Sequence, residues 1–236
     1  MRRPIIVLKF GSSVLRSETD LPRAVHEIYR WYRQGHRVVA VVSALAGTTD
    51  RLFARAESCL NNADPWSTAA LVATGEAYSA ALLCLELDRS GIPAAVLDAP
   101  AIGLETAGAR LNADPVDLDT DTLLKRLERR PVAVVPGFCG RDKDGSHSLL
   151  GRGGSDLSAV LIAQKLGAAC RLIKDVDGLY EYDPSLDAPA PRRFSTITFA
   201  DALQLDANII QQKAVRFAHR HDYGFEVGPI DRKSVV

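Results

Sequence analysis

Hydrophobic and polar positions along this chain alternate between short, continuous apolar runs and longer segments with a helical repeat. The apolar runs predict buried strands, which cover residues 5–9, 37–43, 94–97, 132–135, 170–174 and 225–227. The amphipathic or Ala- and Leu-rich segments between them predict helices, which cover residues 21–34, 49–60, 67–90, 117–129, 155–166, 198–205 and 209–221. This alternation predicts a parallel sheet with helices on both faces.

Several local signals refine this pattern. Within the run 37–43, residues 38–42 are continuously apolar and rich in valine, which is typical of a central strand buried on both faces. Asp117 and Asp119 are expected to open the helix 117–129, and Gly167 to end the helix 155–166. The polar segment 142–145, which ends in glycine, predicts a hairpin turn.

The carboxyl ends of the predicted strands carry residues suited to binding. Lys9, Ser43, Gly137 and Asp175 all fall at or just after such ends. In an open parallel sheet, ligands bind outside the carboxyl ends of the strands. The sequence therefore predicts one site along this edge.

The densest group of chemically useful residues is Gly151-Arg152-Gly153-Gly154-Ser155-Asp156, directly before a predicted helix. Glycines let the backbone approach a ligand closely, and the helix start offers free N–H groups to an anion. Arg152 adds a guanidinium group that can bind a carboxylate or a phosphate through two hydrogen bonds. The segment predicts an anion-binding loop.

A second candidate loop follows the first predicted strand. Lys9 ends that strand, and the turn-forming, hydroxyl-rich Gly11-Ser12-Ser13 comes next. A lysine in this position indicates either a phosphate clamp or a solvated strand end, and the segment around Arg152 favours the clamp. The serines either donate hydrogen bonds to phosphates or serve only to form the turn.

Composition restricts the classes of function. The 236 residues suffice for one large α/β domain, and 47% hydrophobic and 25% charged residues are typical of a soluble globular protein. The 29 basic residues balance the 29 acidic ones, which argues against binding to nucleic acid or to a membrane surface. We expect no apolar run of membrane-spanning length. The four scattered cysteines predict reduced thiols in a cytoplasmic protein.

Further segments occur with these two loops in a fixed order. They are Val42-Ser43-Ala44 with Thr48-Thr49-Asp50, Ala73-Thr74-Gly75-Glu76, Pro136-Gly137-Phe138-Cys139-Gly140, and Lys174-Asp175-Val176-Asp177-Gly178-Leu179-Tyr180 with Asp183-Pro184. Together the segments resemble the amino-acid kinase family, and within it the catalytic domains of the aspartate kinases. So many ordered matches are far more specific than one short motif. The resemblance implies a three-layer α/β/α fold with an open, mainly parallel sheet of the carbamate kinase-like type.

The reaction that the resemblance implies is phosphoryl transfer from MgATP to the β-carboxylate of L-aspartate. The product would be 4-phospho-L-aspartate, in the first step of the lysine, threonine and methionine pathway. Such transfer depends on positioning and charge neutralisation. Lys9 would bind the transferring phosphate and Asp156 would orient Lys9, although Asp156 could also serve as a helix cap. ATP oxygens and water would hold Mg²⁺, and we predict no protein metal site.

The resemblance also implies two sets of binding residues. The substrate would contact Ser43, Thr49, Glu76, Phe138, Arg152 and Ser155. Arg152 would hold the α-carboxylate, and Glu76, near a helix start at Thr74-Gly75, would hold the ammonium group. Phe138 would pack over the substrate or belong to the core. The nucleotide would contact Lys9, Gly11, Ser12, Ser13, Lys174, Asp175, Gly178, Tyr180, Asp183 and Asn208.

Three positions depart from the family pattern. Gly11-Ser12-Ser13 is shorter than the family's Gly-Gly-Thr-Ser and is similar to the glutamate 5-kinases. Ser185 stands where the family has an arginine, and Asn208 stands where it has an ATP-binding lysine, for which Lys213 and Arg216 are the candidate substitutes. Two alternatives therefore stay open. They are a glutamate 5-kinase-like or other acyl-phosphate-forming kinase, and a catalytically weakened regulatory or binding domain.

The domain boundaries are expectations as well. Residues 1–230 are expected to form one catalytic domain, and 231–236 a non-native tail whose codons can match a sequencing adapter. Because the family usually continues with regulatory ACT domains or a homoserine dehydrogenase, we expect a truncated catalytic domain. The expected partners are L-aspartate and ATP, without nucleic acid or membrane, and a homo-oligomer is left open.

Overall fold

The computed structural model describes residues 3–59, 62–176, 178–181, 191–205 and 210–230. The predictions for Asp183 and Asn208, and for the tail 231–236, lie outside these residues. The strands are β1 (Ile5–Phe10), β2 (Arg37–Val42), β3 (Ala94–Val96), β4 (Glu105–Ala109), β5 (Asn112–Asp117), β6 (Val132–Pro136), β7 (Cys139–Arg141), β8 (His147–Leu149), β9 (Ala169–Lys174), β10 (Leu179–Tyr180), β11 (Arg193–Phe194) and β12 (Glu226–Pro229). The helices are α1 (Leu21–Arg33), α2 (Thr48–Cys59), α3 (Pro65–Arg89), α4 (Thr120–Arg129), α5 (Gly154–Leu166), α6 (Phe199–Ala202) and α7 (Gln212–Arg220).

The main sheet runs β12-β9-β1-β2-β6-β3, and every neighbouring pair is parallel. Alternate side chains of a strand point to opposite faces, and both faces are covered. Leu8 packs with residues of α1 and α3 on one face, whereas Val7 packs with residues of α4, α5 and α7 on the other. This arrangement confirms the predicted three-layer fold and the central place of β2.

A second sheet, in the order β5-β4-β7-β8, was not predicted for its first two strands. The segments Glu105–Ala109 and Asn112–Asp117 contain Ala, Gly, Pro and Asn, which have little intrinsic preference for strands. They form an antiparallel pair. The predicted start of α4 was therefore wrong: Asp117 ends β5, and Asp119 alone caps α4 by accepting a hydrogen bond from the Thr122 amide.

Other differences concern the lengths of elements. The hairpin turn at 142–145 is confirmed, because the Gly145 amide donates to the Asp142 carbonyl between β7 and β8. Gly167 ends α5 in the left-handed conformation, also as predicted. The predicted helix 198–205 contracts to α6, and among the described residues the next helix begins only at Gln212.

Helix α3 changes one expectation about apolar runs. Its 25 residues are long and apolar enough to cross a membrane by length and composition. Buried core helices meet the same criteria, and α3 buries Ala80, Leu83 and Leu87 in the core beside α1. The expectation that no run approaches membrane-spanning length was therefore wrong, although one such helix is weak evidence for a membrane span.

The register of the main sheet places the predicted site residues at one edge. Phe10 lies opposite Val42 and Ile173, and Val42 lies opposite Pro136. Phe10, Ile173, Val42 and Pro136 therefore lie side by side, and the residues that follow them lie together at the carboxyl edge of the sheet. They are Gly11, Lys174, Ser43 and Gly137.

Candidate active site

A cavity of about 660 Å³ opens at this edge of the sheet. Loops after β1, β2, β6 and β9 line it, together with residues of α2, α3 and the start of α5. The structure brings together thirteen of the predicted site residues along its wall. They are Lys9, Gly11, Ser12, Ser13, Ser43, Thr49, Glu76, Phe138, Arg152, Ser155, Asp156, Lys174 and Asp175.

Two lysines and one carboxylate form the centre of the cavity wall. Lys9 Nζ lies 2.6 Å from Asp156 Oδ1, and Lys174 Nζ lies 2.9 Å from Asp156 Oδ2. The Asp156 side chain is only 1% exposed. Burial acts to raise the pKa of Asp156, but the positive charges of Lys9 and Lys174 and their hydrogen bonds outweigh it, so the pKa is lowered. Asp156 is therefore an anion that holds two cations at the cavity.

The glycine-rich loop before α5 forms another wall. Gly151 and Gly153 have positive φ angles of 74° and 77°, a conformation that glycine adopts without strain. At Gly154 a Cβ atom would lie 2.8 Å from Phe138 Cδ2, so a larger residue has no room there. Arg152 is exposed between these glycines and lines the cavity. The loop can bring backbone N–H groups and a guanidinium group to one bound anion.

Glu76 supplies a buried acidic group, opposite in charge to Lys9 and Lys174. The prediction that it lies near a helix start was wrong, because it lies in the middle of α3 and is 2% exposed. Its Oε2 atom has no hydrogen-bond partner. Burial raises the pKa of Glu76 to about 8, although a hydrogen bond with the Ala44 backbone, the charge of Lys9 and a hydrogen bond with Ser155 act to lower it. A buried carboxyl group with one unpartnered oxygen beside a cavity fits a cationic part of a ligand.

Replacing Glu76 with Gln should stabilise the fold at alkaline pH. A carboxyl whose pKa is raised on folding takes up a proton in the folded state, so stability falls as pH rises from the unfolded value, 4.5, to about 8. The Gln variant lacks this loss, and its free energy of unfolding should exceed that of the parent by a few kcal/mol near pH 9.

Denaturant unfolding near pH 5 and near pH 9 measures this difference. Glu57→Gln, on the exposed surface of α2, is the matched control and should unfold as the parent does at both pH values. If the free energy of unfolding changed by the same amount between pH 5 and pH 9 in the parent and in Glu76→Gln, a raised pKa for Glu76 would be contradicted.

Phe138 both packs in the core and lines the cavity, so the two readings of this residue are compatible. It belongs to a cluster with Val72 and Leu149. Its φ angle of 61° is unusual for an aromatic residue and costs conformational energy. At the preceding Gly137 a Cβ atom would lie 2.8 Å from Ser155 Cβ. Close packing of this turn against α5 therefore holds the Phe138 ring at the site.

Several cavity residues were missed from the sequence. Phe53 lies one helical turn after Thr49 on α2, and that spacing could have identified it. Leu111 joins β4 to β5, a hairpin without a strand signal, so nothing in the sequence indicated it. Gln211 packs on Gly153 just before α7, in a contact that only the tertiary structure produces.

Two predicted nucleotide residues lie elsewhere. Gly178 lines a separate cavity of about 670 Å³, and Tyr180 lies in β10, paired with β11. The structure does not bring them together with Lys9. Lys213, considered as a substitute for a phosphate-binding lysine, donates instead to Asn112, to the Ala113 carbonyl and to the Leu150 carbonyl. Arg216 donates to Gln212, its neighbour on α7.

The residues that the structure describes contain no group of three or more His, Cys, Asp or Glu side chains placed to hold a metal ion. Their cysteines, Cys59, Cys84, Cys139 and Cys170, are free thiols.

Comparisons with known proteins agree with this geometry. The model of the amino acid kinase family matches residues 4–224. The aspartokinase of Pseudomonas aeruginosa is 33% identical over 235 residues, which is 95% of this chain. E. coli aspartokinase III, solved in complex with aspartate and ADP, superposes with a TM-score of 0.84 at 25% identity over 96% of this chain. Carbamate kinase from Giardia lamblia, with a TM-score of 0.69 and 13% identity, shares the fold.

The chain spans only part of these aspartokinases. It covers 57% of the Pseudomonas protein and 62% of the E. coli chain. Residues 4–224, which the family model matches, contain every residue described above that lines the 660 Å³ cavity.

Proposed function

Since this chain belongs to the amino acid kinase family, we propose that it transfers the γ-phosphoryl group of MgATP to the side-chain carboxylate of L-aspartate. One observation carries the choice of an amino acid as acceptor. The cavity presents Arg152 and the Glu76 carboxyl, whose Oε2 atom has no hydrogen-bond partner, together beside Lys9 and Asp156. These opposite charges match the α-carboxylate and ammonium groups of an α-amino acid. The aspartate and ADP bound to the similar E. coli aspartokinase III support the identity of both substrates.

The proposed acceptor site lies at the β2 and β6 side of the cavity. Arg152 binds the α-carboxylate through two hydrogen bonds, and Glu76 binds the ammonium group in its ionised form. Ser43, Thr49 and Ser155 line the same cavity and supply hydroxyl groups. Phe138 closes one side. With both ends of the amino acid fixed, its side-chain carboxylate is directed toward Lys9.

The proposed nucleotide site lies at the β1 and β9 side. Gly11, Ser12 and Ser13 follow β1, and Lys174 and Asp175 follow β9. At Gly11 a Cβ atom would lie 2.7 Å from Lys9 Nζ, so the glycine leaves room for the lysine to reach the cavity. Gly178 and Tyr180 are proposed contacts farther along the chain, and the roles of Asp183 and Asn208 stay predictions. We propose that Mg²⁺ enters with ATP, because this ion keeps phosphate oxygens and water as ligands.

The chemical step needs no base from the protein. An oxygen of the aspartate side-chain carboxylate attacks the γ-phosphorus, and the bond from that phosphorus to the β,γ-bridging oxygen breaks. The electron pair stays on the bridging oxygen, which gives ADP and an acyl phosphate. Lys9, ordered by Asp156, stabilises the charge on the transferring phosphoryl group.

The product suggests the biological role. An acyl phosphate of aspartate is an activated carboxyl group, which suits a first step toward lysine, threonine and methionine. We propose this biosynthetic role and a cytoplasmic location, where free thiols stay reduced.

A substrate panel tests the proposal against its nearest alternative, a glutamate 5-kinase-like enzyme. ADP formation should depend on L-aspartate and be at least tenfold slower with L-glutamate, because one added methylene displaces the carboxylate in a site that fixes both ends. Faster turnover with L-glutamate would favour the alternative. Tight binding of ATP and aspartate without turnover would favour a regulatory domain.

Replacing Arg152 with Lys should separate the two substrates. A lysine keeps the charge but loses the two parallel hydrogen bonds, so the aspartate KM should rise by about tenfold or more. The ATP KM should stay within about twofold. Steady-state kinetics with each substrate varied in turn measures both constants. A change confined to ATP would assign Arg152 to the phosphates instead.

A further inference from the structure

Lys213, near the start of α7, is a lysine whose contacts the proposed mechanism does not use. We propose that Lys213 is a positioning residue of the acceptor site, which holds the glycine-rich loop before α5 so that Arg152 meets the α-carboxylate of the amino acid. This inference rests on the proposed function and adds to it a residue that acts through the loop rather than on a substrate.

The contacts of Lys213 join three separate parts of the chain. Its ammonium group donates to Asn112 Oδ1 at 3.1 Å, to the Ala113 carbonyl at 2.9 Å and to the Leu150 carbonyl at 2.8 Å. It also lies 3.2 Å from Asp114 Oδ1. An ammonium group has three N–H donors, and these oxygens engage all of them. Lys213 therefore ties α7 to β5 and to the loop before α5, and it has no donor left for a phosphate.

The Leu150 carbonyl is the point at which this tie acts on the loop. Leu150 directly precedes Gly151, and its amide donates to the Phe138 carbonyl. Both backbone polar groups of Leu150 are thus engaged, one by the turn after β6 and the other by Lys213. A hydrogen bond from a charged donor is stronger than one between neutral groups. The tie therefore fixes the first residue of the loop.

The loop depends on such outside contacts because of its composition. Gly151 and Gly153 flank Arg152, and glycine has more backbone freedom than any other residue. Arg152 is exposed, so packing of its own side chain does not fix where the guanidinium group lies. The position of that group therefore depends on how firmly the two glycines are held.

Both glycines are held by residues on or next to α7. A Cβ atom at Gly151 would overlap the side-chain amide of Asn112, which is the amide to which Lys213 donates. A Cβ atom at Gly153 would overlap the side chain of Gln211, which lies two residues before Lys213. The loop is therefore supported on both sides of its arginine, and Lys213 provides the support on the first side.

Helix α7 is a firm base for this support. It buries four apolar side chains, those of Ala214, Val215, Phe217 and Ala218. They pack in one core cluster with apolar residues of α5 and of the main sheet. A functional group is held most precisely when it is anchored to rigid elements of this kind. Lys213 therefore joins a flexible type of loop to the packed part of the molecule.

Replacing Lys213 with Met should impair the use of aspartate and not the use of ATP. Methionine fills a similar volume but donates no hydrogen bond, so the loop loses its tie and Arg152 is no longer preorganised. The aspartate KM should rise by about tenfold, with kcat within about threefold and the ATP KM within about twofold of the parent. Arg216→Met, one turn farther along α7, removes an exposed cation that donates to Gln212. It is the matched control and should keep parental constants.

A double-mutant cycle tests whether Lys213 acts through Arg152. Arg152→Met removes the guanidinium group, so the position of the loop then matters little for aspartate. Adding Lys213→Met to this variant should lower kcat/KM for aspartate by less than about twofold, against about tenfold in the parent background. Initial rates at low aspartate concentration give kcat/KM even where binding is weak. Equal losses in the two backgrounds would show that Lys213 acts independently of Arg152, and would overturn the inference.

Two milder variants guard against misfolding of Lys213→Met. Lys213→Arg keeps the charge and the donors, so its aspartate KM should stay within about threefold of the parent. Asn112→Ala, at an exposed position, removes one acceptor of Lys213 and the contact with Gly151. It should raise the aspartate KM by about two- to fivefold. Parental aspartate KM in Asn112→Ala, or a lowered melting temperature without any difference between the two substrates in Lys213→Met, would contradict a positioning role.

The outcomes separate this inference from the proposed function. If the parent turns over aspartate and folded Lys213→Met keeps the parental aspartate KM, the role of Lys213 is wrong and the kinase proposal stands. A rise confined to the ATP KM also overturns the inference and assigns Lys213 to the nucleotide. Failure of the parent to form ADP with aspartate overturns the proposed function, and this inference with it.

Discussion

Replacing Lys9 with Met should lower kcat by about 100- to 1,000-fold, which is the usual effect of losing one fixed donor to a developing charge. The Lys9 ammonium group pairs with Asp156 Oδ1 and lies next to Gly11. It therefore lies between the two proposed substrate sites. The methionine fills a similar volume, and Lys174 still pairs with Asp156 in the variant. The fold should therefore persist, and the loss should appear in the chemical step.

Coupled measurement of ADP release, together with thermal unfolding, checks this prediction. Lys125→Met, which removes an exposed lysine of α4, is the matched control and should keep parental turnover. A folded Lys9→Met protein with turnover close to that of the parent would remove Lys9 from the chemistry.

Replacing Asp156 with Asn should have the largest effect on stability. The change leaves Lys9 and Lys174 close together without their shared anion, and breaking a buried ion pair in this way costs about 3–5 kcal/mol. Turnover should fall as well, because both lysines lose their orientation.

The pH dependence of this effect follows from the lowered pKa of Asp156. A carboxyl whose pKa is depressed on folding stabilises the fold above its unfolded pKa, here 3.8, and the contribution disappears as pH falls through the folded pKa. Denaturant unfolding should therefore show the full difference at neutral pH and a smaller one in acid.

Asp117→Asn is the control for this experiment. Asp117 pairs with Lys165 at the surface, where ion pairs contribute little, so the variant should unfold almost as the parent does. An Asp156→Asn protein with parental stability at neutral pH would contradict the view that Asp156 is the anion holding both lysines.

The main sheet was accessible from the sequence because its signals are strong. Segments such as residues 38–42 of β2 are apolar on both faces, and a central parallel strand buries both. Because the carboxyl ends of parallel strands lie at the same edge of a sheet, a prediction of parallel strands also places the residues at those ends together. The sequence alone therefore grouped Lys9, Ser43 and Asp175.

The parts that the sequence did not reveal depend on tertiary contacts. The hairpin Glu105–Asp117 has weak strand propensity and forms by pairing with neighbouring strands. Its two strands, and the cavity residue Leu111 between them, were therefore missed. The depth of Glu76 was also missed, because helical periodicity indicates a face and not how far a cavity reaches toward it. Gly178 and Tyr180 were assigned to the nucleotide by the family resemblance, and in the structure Gly178 lines a separate cavity while Tyr180 lies in β10, paired with β11.

Trapping of the product with hydroxylamine tests the central proposal most directly. An acyl phosphate reacts with hydroxylamine to form a hydroxamate, which mass spectrometry identifies. Incubation of this chain with MgATP, L-aspartate and hydroxylamine should yield the β-hydroxamate of aspartate together with ADP, and omission of ATP or use of Lys9→Met should abolish nearly all of it. Absence of the aspartate hydroxamate from a reaction with the folded parent chain would contradict phosphoryl transfer to the side-chain carboxylate of aspartate.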